Sequence, residues 1–249
     1  MEKKLLSIGE TAELLGVSID TLRRWEEKNI LLPFRPSPTS NRYYRRDDID
    51  HFLGKDALSY SGDLVSLAKN WAFSELPGSL SSSLYCETSD IFYARLQRME
   101  LEIERVPDLK NIFSLVIAII GEIGNNSYNH NIGNWPDVFG IFFGFNIQRR
   151  QAVLADRGRG IFRTLKRVVP DLKNDEEALH VAFTKYISGR APEDRGNGLK
   201  FVKDVVLANP LHLTFYTGDA ELELKQNDLE LLIKKTEPSF HGCIAIINF

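Results

Sequence analysis

Cysteine is scarce in this chain. The 249 residues hold two, Cys86 and Cys243, which stand 157 positions apart and form no CxxC pair. That argues against a disulfide framework or a Cys-rich zinc site and fits a reducing compartment. Long apolar runs are also missing. The longest stretch, Ile112 to Ile120 with Ser114 inside it, is nine residues. It is too short to cross a bilayer and reads as a buried helix. No apolar leader with a small-residue cleavage site follows the opening MEKKLL, so a cytoplasmic protein with no membrane partner is expected. An excess of one charge is lacking as well: the net charge of −3 rules out a uniformly basic nucleic-acid coat but leaves room for a local patch. What is present, 43% hydrophobic and 26% charged residues, is the balance of an ordinary globular chain. The length admits one large domain or two modest ones.

Residues 1–54 read as a compact first unit. Leu6, Ile8, Ala12, Leu15 and Val17 set an apolar pattern that Leu22 and Trp25 continue at helical spacing. Ser7 followed by Glu10 is a capping box, and Ser18 with Asp20 repeats the start signal. The spacing predicts a helix over 8–15, a turn at Gly16 and a second helix over 18–28. A turn-rich stretch from Pro33 to Asn41 leads to a short strand, Arg42–Arg45, and a third helix over 47–53. Two helices joined by a Gly-containing turn fit a helix-turn-helix, whose second helix can enter a major groove. Ser18, Asp20, Thr21, Arg23, Arg24 and Lys28 are its expected exposed positions. From Arg23 to Arg46 seven basic residues (Arg23, Arg24, Lys28, Arg35, Arg42, Arg45, Arg46) face two acids, Glu26 and Glu27, a local charge of +5. Tyr43 and Tyr44 interleave with them, as expected for a strand that packs on one face and meets a sugar-phosphate backbone with the other.

The run Ile8-Gly9-Glu10-Thr11-Ala12-Glu13-Leu14-Leu15-Gly16-Val17-Ser18, then Thr21-Leu22-Arg23-Arg24-Trp25-Glu26, Asn29-Ile30-Leu31, Arg35 and Arg42-Tyr43-Tyr44, resembles the MerR-type winged helix-turn-helix. The resemblance implies double-stranded DNA as partner and Ser18, Thr21, Arg23, Arg24, Lys28, Arg35, Arg42, Tyr43 and Arg45 as contacts. The long dimerisation helix and effector site of MerR regulators are not found after it, so metal or drug sensing is not expected to carry over.

Residues 55–107 read as a helical connector, with a helix at 63–73, a Ser-rich link at 79–83 and an amphipathic helix from Asp90 that Pro107 ends. Its apolar stripe is expected to be core or a dimer seam. Beyond it, a long helix over 108–131 precedes strands at 139–147, 151–155, 211–217, 221–225 and 243–249. Long helices and a mostly antiparallel sheet make an α+β unit over 108–249.

Three short motifs stand out there. On a helix, Glu122, Asn126 and His130 are spaced i, i+4, i+8. This polar stripe lies on an otherwise apolar helix, and buried polar groups need partners. A Mg²⁺-phosphate ligand would supply them: the Asn126 oxygen suits a hard cation and Glu122 could orient water as a general base. Asp156-Arg157-Gly158-Arg159-Gly160-Ile161 follows a strand, where a carboxylate can accept from an exocyclic amine and glycines let backbone approach a ligand. Arg195-Gly196-Asn197-Gly198-Leu199 leads into a helix whose first amides would face phosphate oxygens.

In this order the three motifs resemble the GHKL ATPase superfamily, which includes gyrase, MutL, histidine kinases and anti-sigma kinases. The resemblance covers 108–249 and implies a Bergerat-type α/β sandwich. It further implies ATP and Mg²⁺ as cofactors, with Asn126 as metal ligand and Glu122 as the catalytic base. Asp156 would read the adenine amino group beside Gly158, Gly160 and Ile161. Gly196, Asn197, Gly198 and Leu199 would form the phosphate lid, His130 would lie near phosphate, and Lys185, Ser188 and Arg190 would be further phosphate contacts. The chain departs from the pattern at Asp194, where the lid usually opens with glycine, and at Gly242-Cys243, where Gly-Thr is usual. None of its five histidines (His51, His130, His180, His212, His241) sits on a phosphoacceptor hairpin, against a sensor kinase.

The expectation is therefore an ATP-binding, DNA-binding transcriptional regulator, α+β in class: a small winged helix-turn-helix followed by a nucleotide domain. A homodimer and a protein partner are anticipated. Two alternatives stay open: an enzyme (an ATPase or an anti-sigma-type protein serine kinase) placed by its head, and an interaction module with a vestigial nucleotide site.

Overall fold

The computed structural model describes residues 4–37, 39–53, 63–185 and 198–249. Strand β1 (Leu5–Ser7) runs into helix α1 (Ile8–Leu15), followed by α2 (Ile19–Glu27), β2 (Tyr43–Arg45) and α3 (Arg46–Phe52). The boundaries follow from local chemistry. The Ser7 hydroxyl accepts from the Glu10 amide at 3.3 Å while the Glu10 carboxylate accepts from the Ser7 amide at 2.8 Å. Gly16 ends α1 in the left-handed region at φ 63°, and Ser18 caps α2 by accepting from the Thr21 amide at 3.0 Å. Leu15, Leu22, Trp25, Tyr44 and Ile49 are buried between these elements. Antiparallel pairing of β1 with β2, extended by a bridge between Phe34 and Tyr43, forms the wing.

The rest of the chain is built around one antiparallel sheet. Its strands are β3 (Tyr85–Cys86), β4 (Ile141–Asn146), β5 (Gln151–Asp156), β6 (His212–Lys225) and β7 (Leu232–Asn248), in the order β3-β4-β5-β7-β6. Among the described residues six further helices cover it: α4 (Leu64–Phe73), α5 (Ser89–Ile103), α6 (Phe113–Asn131), α7 (Gly160–Leu165), α8 (Asp175–Thr184) and α9 (Gly198–Ala208). A short 3-10 turn at Pro107–Leu109 separates α5 from α6.

The period of two along the strands sorts their side chains between two cores. Ile141, Phe143, Ala152, Leu154, Phe215, Ala245 and Ile247 join the apolar faces of α5, α6, α8 and α9. Phe142, Val153, Ala155, Ile244 and Ile246 pack with Leu64, Ala68, Trp71 and Ala72 of α4 on the other side. Three layers result, helices–sheet–helix. Residues 63–107, the described part of the expected connector, thus supply an edge strand and one helix to each face of the sheet. Strand β6 is continuous across the two shorter strands expected at 211–217 and 221–225, and β7 starts eleven residues before the expected 243.

The helix-turn-helix is not separate from this body. Its core residues belong to the same apolar cluster as α5, α6 and the inner sheet face. Arg95 of α5, buried to 4% exposure, fastens the join. It donates to the carbonyls of Phe52 at 3.1 Å and Tyr85 at 2.9 Å, and to that of Ser82. Gln97 of the same helix rests on Gly16, where an added Cβ would fall 1.3 Å from the amide oxygen.

Arg157 does the equivalent on the far face. Fully buried, it donates to the carbonyls of Trp71 at 2.6 Å, Ala72 at 3.1 Å and Ser74 at 2.8 Å, closing the C-terminus of α4. It also holds Asp137 Oδ2 through Nε at 2.8 Å and Nη2 at 2.6 Å. Removing the guanidinium takes the donor from these carbonyls and from Asp137 Oδ2. Arg157→Ala is expected to cost about 3–5 kcal/mol in urea unfolding, and a loss under ~1 kcal/mol would show that the clasp is dispensable.

Candidate functional site

Two groups of polar side chains stand out, one on the head and one along α6. On the head, α2 exposes Ser18, Asp20, Arg23, Arg24 and Lys28, with Thr21 half-buried. Trp25 and Leu22 face inward. In the wing Tyr44 is buried, while Tyr43 is half-buried and Arg45 exposed. The alternation expected of that strand is therefore present. Arg45 stacks over the Phe34 ring at 5.3 Å.

The charge of this surface is more neutralised than its composition suggests. Glu26 gathers both wing arginines, taking Arg35 at 2.5 Å and Arg42 at 2.6 Å. Burial would raise the Glu26 carboxyl, but hydrogen bonds from Arg42 and Arg35 outweigh it and hold it below the usual range. Arg23 pairs with Asp20 at 2.8 Å, Arg46 with Asp50 at 3.1 Å, and Arg24 with Asp90 of α5. In the sequence Glu26 counts only toward the local charge and the helix-turn-helix resemblance, and Asp90 only as the start of a helix. The signal for Glu26 lies in its helical phase, one residue past the buried Trp25 and facing the wing. For Asp90, 66 positions from Arg24, the sequence carries none.

Along α6 the polar residues meet the two glycine motifs. Asp156 ends β5 at 2% exposure. Its Oδ2 accepts from the Ser127 hydroxyl at 2.7 Å and its Oδ1 from the Gly158 amide at 2.8 Å. Burial raises its carboxyl above the ordinary range against the lowering effect of those bonds. One turn further along α6, Asn131 accepts from the Arg159 amide at 2.9 Å and donates to the Ser127 carbonyl at 2.8 Å. A side chain at Gly158 would drive into it, its Cβ 2.0 Å from Asn131 Nδ2. One turn back, Glu122 lies against the start of α9, where a Cβ on Gly198 would sit 1.8 Å from its Oε1. At Gly158 the neighbour is an amide already held by two hydrogen bonds, whereas at Gly198 it is the movable end of the Glu122 side chain.

The stripe expected at Glu122, Asn126 and His130 runs along the rim of the helix. Glu122 and Asn126 are half-buried and His130 is exposed, so the His130 side chain is not a buried group in need of a ligand. The residues that meet Asp156 and its loop are Ser127 and Asn131, one position further round. Gly160 takes φ 73°, and Thr217 anchors the loop behind it. The Thr217 hydroxyl accepts from the Ile161 amide at 3.1 Å and donates to the Gly242 carbonyl at 3.0 Å. Cys243 points its thiol at Thr217 from 3.6 Å. Burial raises that thiol well above its usual range.

Lys185 is exposed, and its carbonyl accepts from the buried Lys200 ammonium at 2.7 Å. Leu199 is half-buried. Ser188, Arg190, Gly196 and Asn197 lie outside the described residues. A cleft of about 430 Å³ opens beside the loop, lined by Gly133, Asn134, Trp135, Pro136, Arg159 and Arg163. No group of three or more His, Cys, Asp or Glu side chains suited to a metal ion occurs among the described residues. No described helix is long and apolar enough to cross a membrane.

Residues 6–62 match the family described as MerR HTH family regulatory protein. The N-terminal unit is therefore a MerR-family helix-turn-helix, a fold that suggests DNA binding and transcriptional regulation. No curated protein in the comparison matches the chain.

The buried carboxylate gives a pH signature. A raised folded-state value means the native state holds the Asp156 proton more tightly than the unfolded chain does. Its contribution is fully present below the ordinary carboxylate value and is lost as pH rises through the raised one. Asp156→Asn does not titrate, so its stability should gain on the wild type as pH climbs from roughly 4 to 7. Urea midpoints across that interval check this, and parallel curves for the two proteins would refute it.

Proposed function

We propose that the protein is a DNA-binding regulator whose second domain binds Mg-ATP in a GHKL-type site and changes conformation or assembly on loading. The observation that supports this best is a convergence. The two glycine motifs, up to 76 positions from the α6 residues they meet, come to successive turns of that helix: Gly198 at Glu122, Asp156 at Ser127, and Gly158 with Arg159 at Asn131. An antiparallel sheet with the polar helix on one face accords with a Bergerat-type sandwich.

The residues present suit the ligand. The side-chain oxygens of Glu122 and Asn126 are of the kind that suits a hard cation. Asp156 would hold the adenine amine, Asn126 the Mg²⁺ ion, and the start of α9 the phosphates. The metal would offset phosphate charge. Glu122, half-buried beside Gly198, is the group that could orient a water, which keeps ATP hydrolysis as the second reading. On the head, Arg23, Arg24, Arg35, Arg42 and Arg45 would meet the DNA backbone, with phosphate positioning ahead of base readout for any one arginine.

Thermal unfolding with and without Mg-ATP tests the site. Saturating ligand, at about 100-fold over Kd, should stabilise the wild type by ~2.7 kcal/mol, and Asn126→Ala should abolish the gain. An unchanged wild-type midpoint would leave the vestigial-site alternative standing. On the DNA side, Arg23→Ala combined with Arg42→Ala should weaken duplex binding at least tenfold, about 1.4 kcal/mol. Equal affinity would remove DNA from the account. ADP release in the presence of duplex would separate turnover from sensing.

A further inference from the structure

The face of α2 that the DNA-binding reading assigns to the duplex is partly occupied by the protein itself. Arg24, exposed on that helix, is paired with the Asp90 carboxylate from the first turn of α5. Both side chains remain about half open to solvent, at 49% and 40% exposure. The pair is therefore reachable by a competing anion and is not sealed into the core. We propose that Asp90 is an intramolecular competitor for Arg24, a latch that a DNA phosphate must displace before the recognition helix can engage fully. The proposal rests on the DNA-binding reading and specifies how that surface is regulated.

The placement of Asp90 is enforced from both sides. Thr88 caps α5 by accepting from the Ile91 amide at 3.4 Å, which fixes the first turn that carries Asp90. Gln97 against Gly16 and Arg95 on the Phe52 carbonyl hold α5 to the head at two further points. The neighbouring cation Arg23 is paired within α2 to Asp20, so Arg24 alone on this helix is shown tied across to the second domain.

Helix α5 also touches the candidate nucleotide segment. Phe92 fills the space at Gly124, where a Cβ would lie 2.2 Å from its ring, and Leu96 lies 3.3 Å from the same point on Gly121. Tyr93 has its phenol raised by burial and then by the Glu122 charge. A shift of α6 against α5 would thus reach the residue that restrains Arg24.

The test uses the full chain without nucleotide and a fluorescent duplex of mixed sequence, titrated at several salt concentrations. Asp90→Asn should tighten binding roughly two- to fivefold, the scale of an exposed ion pair. The salt slope should steepen by about one unit as one more phosphate contact forms. In an Arg24→Ala background the same change should do nothing, because the partner is gone. Asp90→Ser, which keeps a helix-starting residue, provides a second variant should the amide perturb α5. Equal affinities for wild type and both Asp90 variants would overturn the latch while leaving DNA binding intact. Equal tightening with and without Arg24 would overturn it too, reducing the effect to general repulsion. Absence of duplex binding in every folded variant would overturn the DNA reading and the latch together.

Discussion

The structure depends on what happens between Asp156 and Arg157. Asp156 ends the central strand and Arg157 follows it, and the alternation of extended chain sends successive side chains to opposite faces. Asp156 turns toward α6 and takes the Ser127 hydroxyl. Arg157 turns toward α4 and takes its last carbonyls. Two adjacent charged residues, both buried, therefore fasten one helix layer each to the same strand end. Neither charge is tolerable inside the protein without those partners. The requirement that each be satisfied fixes where α4 stops, where α6 lies along the sheet, and how the loop that follows must turn.

That loop inherits its geometry from the same constraint. Asp156 draws in the Gly158 amide, which brings backbone so close to Asn131 that no side chain fits. Thr217, from β6, then closes the loop by taking the Ile161 amide. An ionised carboxylate has about four acceptor directions, and the Ser127 hydroxyl with the Gly158 and Cys243 amides takes up most of them. Asp156 is thus held in place by protein donors while keeping capacity for one more. A pre-positioned acceptor of this kind is what recognition of an amine requires, and it supports the nucleotide reading without any movement of the carboxylate itself.

Much of this could be read from sequence where the signals are local. The capping box of Ser7 and Glu10, the left-handed stop at Gly16 and the cap at Ser18 involve residues three or four apart, and they lie where the spacing puts them. The three motifs were visible as motifs, but their facing residues were not. A helix read by spacing suggests Asn126 and His130, whereas the phase set by packing Ile119, Ile120 and Ile123 turns Ser127 and Asn131 toward the loop. Strand β3 is two residues long and carries no period to detect. The outer part of β7 is polar and exposed, so its pattern is not apolar alternation. What secures it is cross-strand pairing, with Lys234 on Glu221 at 3.0 Å and Lys235 on Asp219 at 3.1 Å. Such pairs depend on register, which appears only once the hairpin is formed. Arg24 with Asp90 and Arg95 with Phe52 are hidden for the same reason.

These non-local contacts change what the two halves of the chain can be to each other. A helix-turn-helix on a flexible link would let a second domain alter DNA binding only through assembly or tethering. Here the head shares a core with α5 and α6, and the joint is completed by polar contacts at Arg95 and Asp90 and by the packing of Gln97 on Gly16. Buried apolar contact resists separation, while hydrogen bonds and an exposed ion pair can be exchanged at small cost. Coupling between two sites typically amounts to about 1–3 kcal/mol, the scale of a few such contacts. A ligand on α6 can shift the head only if it binds two arrangements of α5 with different affinity. The packing of Phe92 on Gly124 is where such a difference would be felt, since a glycine pressed against a ring leaves no slack for α6 to move alone.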